Sequence, residues 1–397
     1  MPILLCIGLL PFMQVGLSYY ASTQVIIAAI ILSSGNITAL FSRSMLLRIF
    51  VAYGIFVMPM LYQGGFNNSD LARSFREAVA FFLISGAASM TCIYGERHQR
   101  SWLNAIFILS IALLALVVAQ IAFLSRGIYF GLPQDWFVIN TATLPDELDL
   151  LYSKLRPTAT YGEPSYAAVV CFVLMFGVGP LYKTSGKARL TIIILFVTVL
   201  LTRAMSGIIS CSLLFVYYRL QRDRALNALL LTGALLLLPV LLTVTETAIS
   251  ARFGAMLRGE DYSFNARILT PLMSMPQMLH HYPFGIPGKQ MSEMAYVPEL
   301  LIVPGHLNHN AALNMINSNG FFGIFMAVVL FFQYRSLRYS YLIAVLMMQN
   351  GTFFAFDKFS LVALAIILYR NFEGVSVRNR DAPHITVGEH SMKPAPR

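Results

Sequence analysis

Charge is what this sequence has least of. Asp, Glu, Lys and Arg together make up 12% of its 397 residues, against 57% hydrophobic. A soluble protein is about a quarter charged. A compact soluble domain of this length needs far more charge to cover its surface, which excludes a soluble enzyme and a disordered chain. Cysteine is scarce as well. Cys6, Cys92, Cys171 and Cys211 each lie in or beside an apolar stretch, and no C-x-x-C pair occurs. That excludes a secreted disulfide scaffold and a thiolate metal centre, and leaves the four as small core residues. Acidic residues number 18 against 28 basic, for a net charge of +10. The basic residues come in small groups between apolar stretches, which is membrane-protein usage rather than a nucleic-acid surface. A basic n-region and a small-residue cleavage site are also missing near Met1, so the first apolar stretch is expected to be an uncleaved anchor. No 20–50-residue repeat is visible.

Long apolar runs are what the sequence does have. They predict an all-α, polytopic integral membrane bundle of about twelve spans. The expected spans fall near 2–18, 22–40, 45–62, 77–94, 102–124, 164–182, 190–202, 207–218, 226–244, 311–332, 340–355 and 359–369. The short pair 190–202 and 207–218 reads as a helical hairpin buried in protein, turning at Arg203–Ser206. Residues 1–370 are expected to form one transmembrane unit, and 371–397 a polar cytoplasmic tail.

Orientation follows from Lys and Arg in short loops. With the N-terminus inside, the inner short loops carry Arg43, Arg48, Arg97, Arg100, Lys183, Lys187, Arg189, Arg219, Arg222, Arg224, Arg335 and Arg338. The outer ones carry only Arg73, Arg76, Arg203 and Lys358. Both termini are therefore expected in the cytoplasm. Two long segments, about 125–163 and 245–310, then lie outside. Their aromatic content, including Trp136, Phe137, Tyr282, Phe284 and Tyr296, argues for folded caps.

Three polar clusters do not fit a bland membrane protein. The first is Arg156-Pro-Thr-Ala-Thr-Tyr161-Gly-Glu163-Pro-Ser-Tyr-Ala167. Glu163-Pro164 suits a helix start, where Pro fits the first turn and an acid complements the dipole. Arg156 nearby adds a guanidinium at the same mouth, and charge at that depth is expensive and usually functional. The second cluster holds Arg252, Arg258 and Arg267 with Glu260 and Asp261. It is either a solvated, self-neutralising face or an anion clamp, since Arg offers bidentate donors to phosphate. The third is His306-Leu-Asn308-His309-Asn310-Ala-Ala-Leu313, followed by Asn314, Asn317 and Asn319. Its amides suit sugar hydroxyls and its imidazole proton transfer, while Asn308 or Asn310 equally suits an N-cap. H-x-x-H with His280, His281, Glu293 and Glu299 invites a metal, but no H-E-x-x-H supports one. Met205-Ser206-Gly207 suggests an intramembrane serine protease only until Ala204 breaks the G-x-S-G pattern.

All three clusters gather on the outer face. Arginines for a phosphate, a carboxylate or imidazole for a proton, and amides for sugars fit glycosyl transfer from a lipid pyrophosphate. Such a reaction needs a stabilised leaving anion and a deprotonated hydroxyl.

At these same residues the sequence resembles the Wzy-type O-antigen and exopolysaccharide polymerases, within the wider polymerase/ligase group. The matching segments are Arg156–Ala167, Met205-Ser-Gly-Ile-Ile-Ser210, Arg252-Phe-Gly, Tyr262–Arg267, His281-Tyr-Pro283-Phe-Gly285-Ile, and His309-Asn-Ala-Ala-Leu313 with Gly320 and Gly323. The Glu-Pro form is nearest the colanic-acid type. The resemblance implies a GT-C-like helical bundle in a bacterial inner membrane, with a periplasmic active site and no cofactor, metal or nucleotide sugar. It implies undecaprenyl-pyrophosphate-linked oligosaccharide as substrate, membrane lipid as surroundings, and a chain-length regulator and a flippase as partners, with no nucleic acid. By position, Arg156 and the second-cluster arginines would hold pyrophosphate. His309 matches a ligase-like H-N-x-x-L motif and would position or deprotonate the acceptor. Glu163 stands where ligases more often have an amide, so the resemblance leaves the base as either His309 or Glu163. Asn310, Asn314 and Tyr161 are the expected acceptor-sugar contacts. The rivals are an O-antigen ligase, which the Glu-Pro motif disfavours, and a non-enzymatic flippase. A flippase is expected to carry mid-membrane charge or broken helices in related halves.

Overall fold

The computed structural model describes residues 16–18, 21–22, 99–126, 128, 130–132, 157–220, 254, 258, 270–285, 310–332, 337–348, 358, 361–362, 364–369 and 371–373. The spans expected at 45–62, 77–94 and 226–244 lie outside them. The described secondary structure is helical apart from one short antiparallel pair, β1 (Gly16–Ser18) and β2 (Ala21–Ser22). The end of the expected first span is thus extended rather than helical. Glycine and serines there favour a tight reversal over a continuing helix.

Eight helices build the rest: α1 (Gln99–Leu124), α2 (Pro164–Val178, prolonged by a 3-10 turn at Gly179–Leu181), α3 (Gly186–Thr202), α4 (Met205–Leu220), α5 (Thr270–His281), α6 (Ala311–Asn319), α7 (Phe321–Phe332) and α8 (Leu337–Met347). α1 and α2 are long and apolar enough to cross a membrane. Their fates differ because of what surrounds them.

α2 is the axis of the bundle. Thirteen of its fifteen residues are buried, on every side. A helix that is apolar all round belongs in a core. It packs against α1, α3, α4, α8 and the helical residues near 361–369. Gly207 of α4 lets the α2 backbone approach: a Cβ there would overlap Ala168. The Met205-Ser-Gly motif is thus a close-packing element, of the small-residue kind common between membrane helices.

The outer helices invert the usual distribution. α1 exposes Ile108, Ile111 and Val118, α3 exposes Leu190, Ile193, Val197 and Leu200, and α7 exposes Phe321, Phe325 and Val328. The spacing of three or four puts each set on one helix face. Contiguous apolar faces of this kind are what lipid covers, and a soluble monomer avoids them. The α3–α4 hairpin was expected to be short and fully buried. It is longer, with Ser185 capping α3 by accepting from Ala188 N–H, and one side of it faces outward. Ser185 supplies the cap that moves the start ahead of the apolar run.

Two other boundaries shift. The span expected over 311–332 is broken at Gly320, which has φ +57° and ψ −135°. Helical residues continue at 371–373, with Phe372 fully buried, so the ordered bundle passes residue 370.

Candidate functional site

The first polar cluster is a built loop. A single side chain of α1 holds it. Gln120 is 2% exposed. Its Oε1 accepts from the backbone N–H of Thr158 (3.1 Å) and Ala159 (2.8 Å). Its Nε2 donates to the carbonyls of Ala159 (2.7 Å) and Phe130 (2.8 Å). The amide's two donors and two acceptor positions are all engaged. Ala159 has φ +56°, an uncommon conformation for a residue with a Cβ. Tyr161 N–H closes a turn onto Thr158 O, and the Tyr161 ring packs on Tyr166 at 5.5 Å. Tyr161 is 1% exposed, and burial pushes its phenol well above its ordinary range, so it stays a neutral hydroxyl. Strain of the Ala159 kind persists only where surrounding structure over-determines it, and it clusters at functional sites.

This loop delivers Glu163 to the N-cap of α2. Pro164 occupies the first helical position, where its missing N–H costs nothing. The Glu163 side chain does not cap the helix. Its Oε2 accepts instead from Ser165 Oγ at 3.0 Å. The capping reading of Glu163 therefore describes its backbone, while its half-buried carboxylate pairs with Ser165.

Helix register sets what shares this end. Phe176 packs on Tyr339 and Phe172 on Tyr341, so α8 runs antiparallel to α2. Seven residues further along each lie Ser165 and Met348, at the same depth, since both helices rise about 1.5 Å per residue. Asn310 Nδ2 lies 3.4 Å from Met348 Sδ. Asn310 thus sits level with Glu163. α4 runs parallel to α2, with Gly207 at Ala168 and Tyr218 Oη donating to Phe176 O. The same register puts Arg203 level with Glu163. Arg203 is half-buried and left-handed, φ +54° and ψ +28°, at the turn between α3 and α4.

Asn310 is the N-cap of α6, its Oδ1 accepting from Ala312 N–H (3.0 Å) and Leu313 N–H (3.3 Å). It is 4% exposed. Its oxygen is therefore spent on the backbone of the first turn of α6. Asn314, one turn on, is only half-buried. Of the anion-clamp residues, Arg258 is exposed, with its N–H on Gly254 O at 3.1 Å. Arg156, Arg252, Arg267 and His309 lie outside the described residues.

The His281-Tyr-Pro-Phe-Gly285 motif has a structural job. After α5, Gly285 N–H returns to Tyr282 O, and Pro283 O accepts from Phe321 N–H at 2.9 Å. The motif thus clasps the break between α6 and α7. Met278 of α5 packs with Leu313 and Ile316 of α6 in a small separate core. Residues 270–285 are accordingly anchored to the α6–α7 corner.

Two residues at this end of the bundle escaped sequence reasoning. Gln120 was hidden inside an apolar run, and its loop partners are backbone groups. Arg203 was counted only as an outer charge. We expect Gln120→Leu to cut polymer output more than tenfold while the protein stays in the membrane at a normal level. Each buried loop group left unsatisfied costs about 1–3 kcal/mol, enough to release the loop without unfolding α1. Quantifying surface glycan against protein level checks this, and unchanged output would refute the clamp.

Comparison with known proteins bears on the whole chain. No curated protein and no solved structure matches it. One family model does, described as WcaD colanic acid polymerase, over residues 2–374. That span takes in the strained loop, the α3–α4 turn, the clasp and the capped α6. The chain belongs to the colanic acid polymerase family, a group of membrane-associated polysaccharide polymerases that work in exopolysaccharide biosynthesis.

Proposed function

We propose that this polymerase transfers a growing glycan from undecaprenyl pyrophosphate onto an incoming lipid-linked repeat unit. The reaction takes place at the periplasmic face of the bacterial inner membrane, in a GT-C-like bundle of about twelve spans with both termini cytoplasmic. The observation that carries the reading is the Gln120-clamped loop, which presents Glu163 level with Asn310 and Arg203 at one end of the bundle.

In this reading the acceptor sugar hydroxyl lies against Asn314 and either Glu163 or His309, one of which takes its proton. The hydroxyl oxygen attacks the anomeric carbon of the donor. The bond from that carbon to the pyrophosphate oxygen breaks, and undecaprenyl pyrophosphate departs with the electron pair. Arg156, with Arg252, Arg258 or Arg267 from the second cluster, holds that anion, and Arg203 adds a guanidinium at the same level. Preorganised donors aimed at developing charge supply the largest catalytic effect in such reactions. Tyr161 and Asn310 support the site from behind: one fixes the loop and the other caps α6. Proton transfer and anion stabilisation here use side chains alone, so the proposal calls for no metal or cofactor.

Arg156→Ala is expected to remove polymer with normal membrane insertion. Arg156→Lys is expected to fail nearly as badly, because lysine offers a point charge in place of a planar fork. Surface glycan from strains with matched protein levels tests this. Polymer at wild-type level from Arg156→Lys would show that charge alone suffices and would remove the bidentate role.

A further inference from the structure

The end of the bundle opposite Glu163 contains a cavity that polymerisation does not use. It measures about 390 Å³ and lies between α4 and α8 against α2. That volume falls in the range of small-molecule sites. Phe176 and Leu214 form its buried floor, and Leu213, 57% exposed, stands at its rim. Arg338 and Tyr217 close one end. The lining is therefore apolar along its length and cationic at one extremity.

Arg338 is held firmly but not exhausted. Its Nε donates to Tyr217 Oη and its Nη1 to Tyr369 Oη, with Glu373 Oε1 3.8 Å from Nη1. Its carbon lies 5.6 Å from the Tyr217 ring centroid and 5.9 Å from that of Tyr369. Guanidinium has five N–H donors, and among the described residues nothing accepts from Nη2. The side chain is 41% exposed, so a charge-bearing donor remains at the cavity's mouth. Lys183, Lys187 and Arg189 follow or begin helices at this same end, which is where Lys and Arg distribution puts the cytoplasm.

We propose that this cavity binds an anionic phospholipid of the inner leaflet. Its phosphate sits on Arg338, and an acyl chain lies along Leu213, Leu214 and Phe176. Basic pockets between membrane helices on the cytoplasmic side take anionic headgroups by this chemistry. The apolar lining selects a lipid over a free anion, and the exposed Leu213 marks the lateral way in from the bilayer. The site is independent of the glycosyl-transfer reading.

The test uses the full chain, purified, stripped of lipid and examined by native mass spectrometry. It is titrated with phosphatidylglycerol or phosphatidylcholine. About fivefold stronger retention of phosphatidylglycerol is expected, the effect of one basic residue near an anionic lipid surface. Leu213→Trp fills the rim and leaves Arg338 with all its partners, so it is expected to lose retention while melting like wild type. Arg338→Gln is expected to remove the preference for the anionic lipid. Millimolar inorganic phosphate is expected not to displace the bound lipid. Equal retention of the two lipids, undiminished retention by Leu213→Trp, or displacement by phosphate would each overturn the proposal.

Discussion

Glu163→Gln is expected to abolish polymer while leaving the protein in the membrane at its normal level. The substitution is nearly isosteric. Glutamine still offers an oxygen to Ser165 Oγ, which donates to the carboxylate at 3.0 Å. The Glu163 side chain does not cap α2, so helix initiation by Pro164 and the backbone turn are unaffected. Only basicity and charge are lost. A general base contributes about 10²–10⁴-fold, and a loss of that size leaves no detectable polymer. His309→Ala supplies the contrast. If Glu163→Gln polymerises normally and His309→Ala does not, the imidazole is the base and Glu163 serves structure alone. If both fail, the pH profile of residual activity separates base from positioning group.

Gly320→Ala carries the second large effect, on folding. At φ +57° and ψ −135° the backbone is in territory that a Cβ residue enters only with strain. That strain alone costs about 1–3 kcal/mol. A Cβ would also overlap the Pro283 carbonyl and crowd Gly285 N at 2.7 Å. Relief requires moving Pro283 away, which breaks the bond from Phe321 N–H, worth about 1 kcal/mol more. The sum, roughly 2–4 kcal/mol, is a large share of ordinary stability. The clasp should open, and limited proteolysis should cut between α5 and α6 in the variant but not in wild type. A variant as resistant as wild type would show that the α6–α7 corner does not depend on the clasp.

Much of the bundle was legible. The composition excluded every soluble class, and the apolar runs near 102–124 and 164–182 became α1 and α2. Pro164 marked the start of α2 through its fixed φ and missing N–H. The break at Gly320 was not legible from hydropathy, because apolar residues run on through Phe321–Phe332 and the interruption is a backbone event. Its partner, Pro283, lies 37 positions earlier, a separation that no local pattern reports. The local geometry of the candidate residues was poorly legible. Glu163 and Asn310 were both candidates. Local sequence does not say that the Glu163 side chain would stay off its helix cap while the Asn310 oxygen is spent on one. Gln120 was illegible as a clamp because its loop partners are backbone groups, which any sequence possesses.

The most direct test of the central claim is a deletion strain complemented with wild type or Glu163→Gln, followed by mass analysis of its lipid-linked saccharides and surface glycan. The account predicts single repeat units on undecaprenyl pyrophosphate at the outer face, with no polymer, in the deletion and in Glu163→Gln. Wild type restores polymer. Full-length polymer retained on its lipid carrier, or repeat units trapped on the cytoplasmic side, would contradict it.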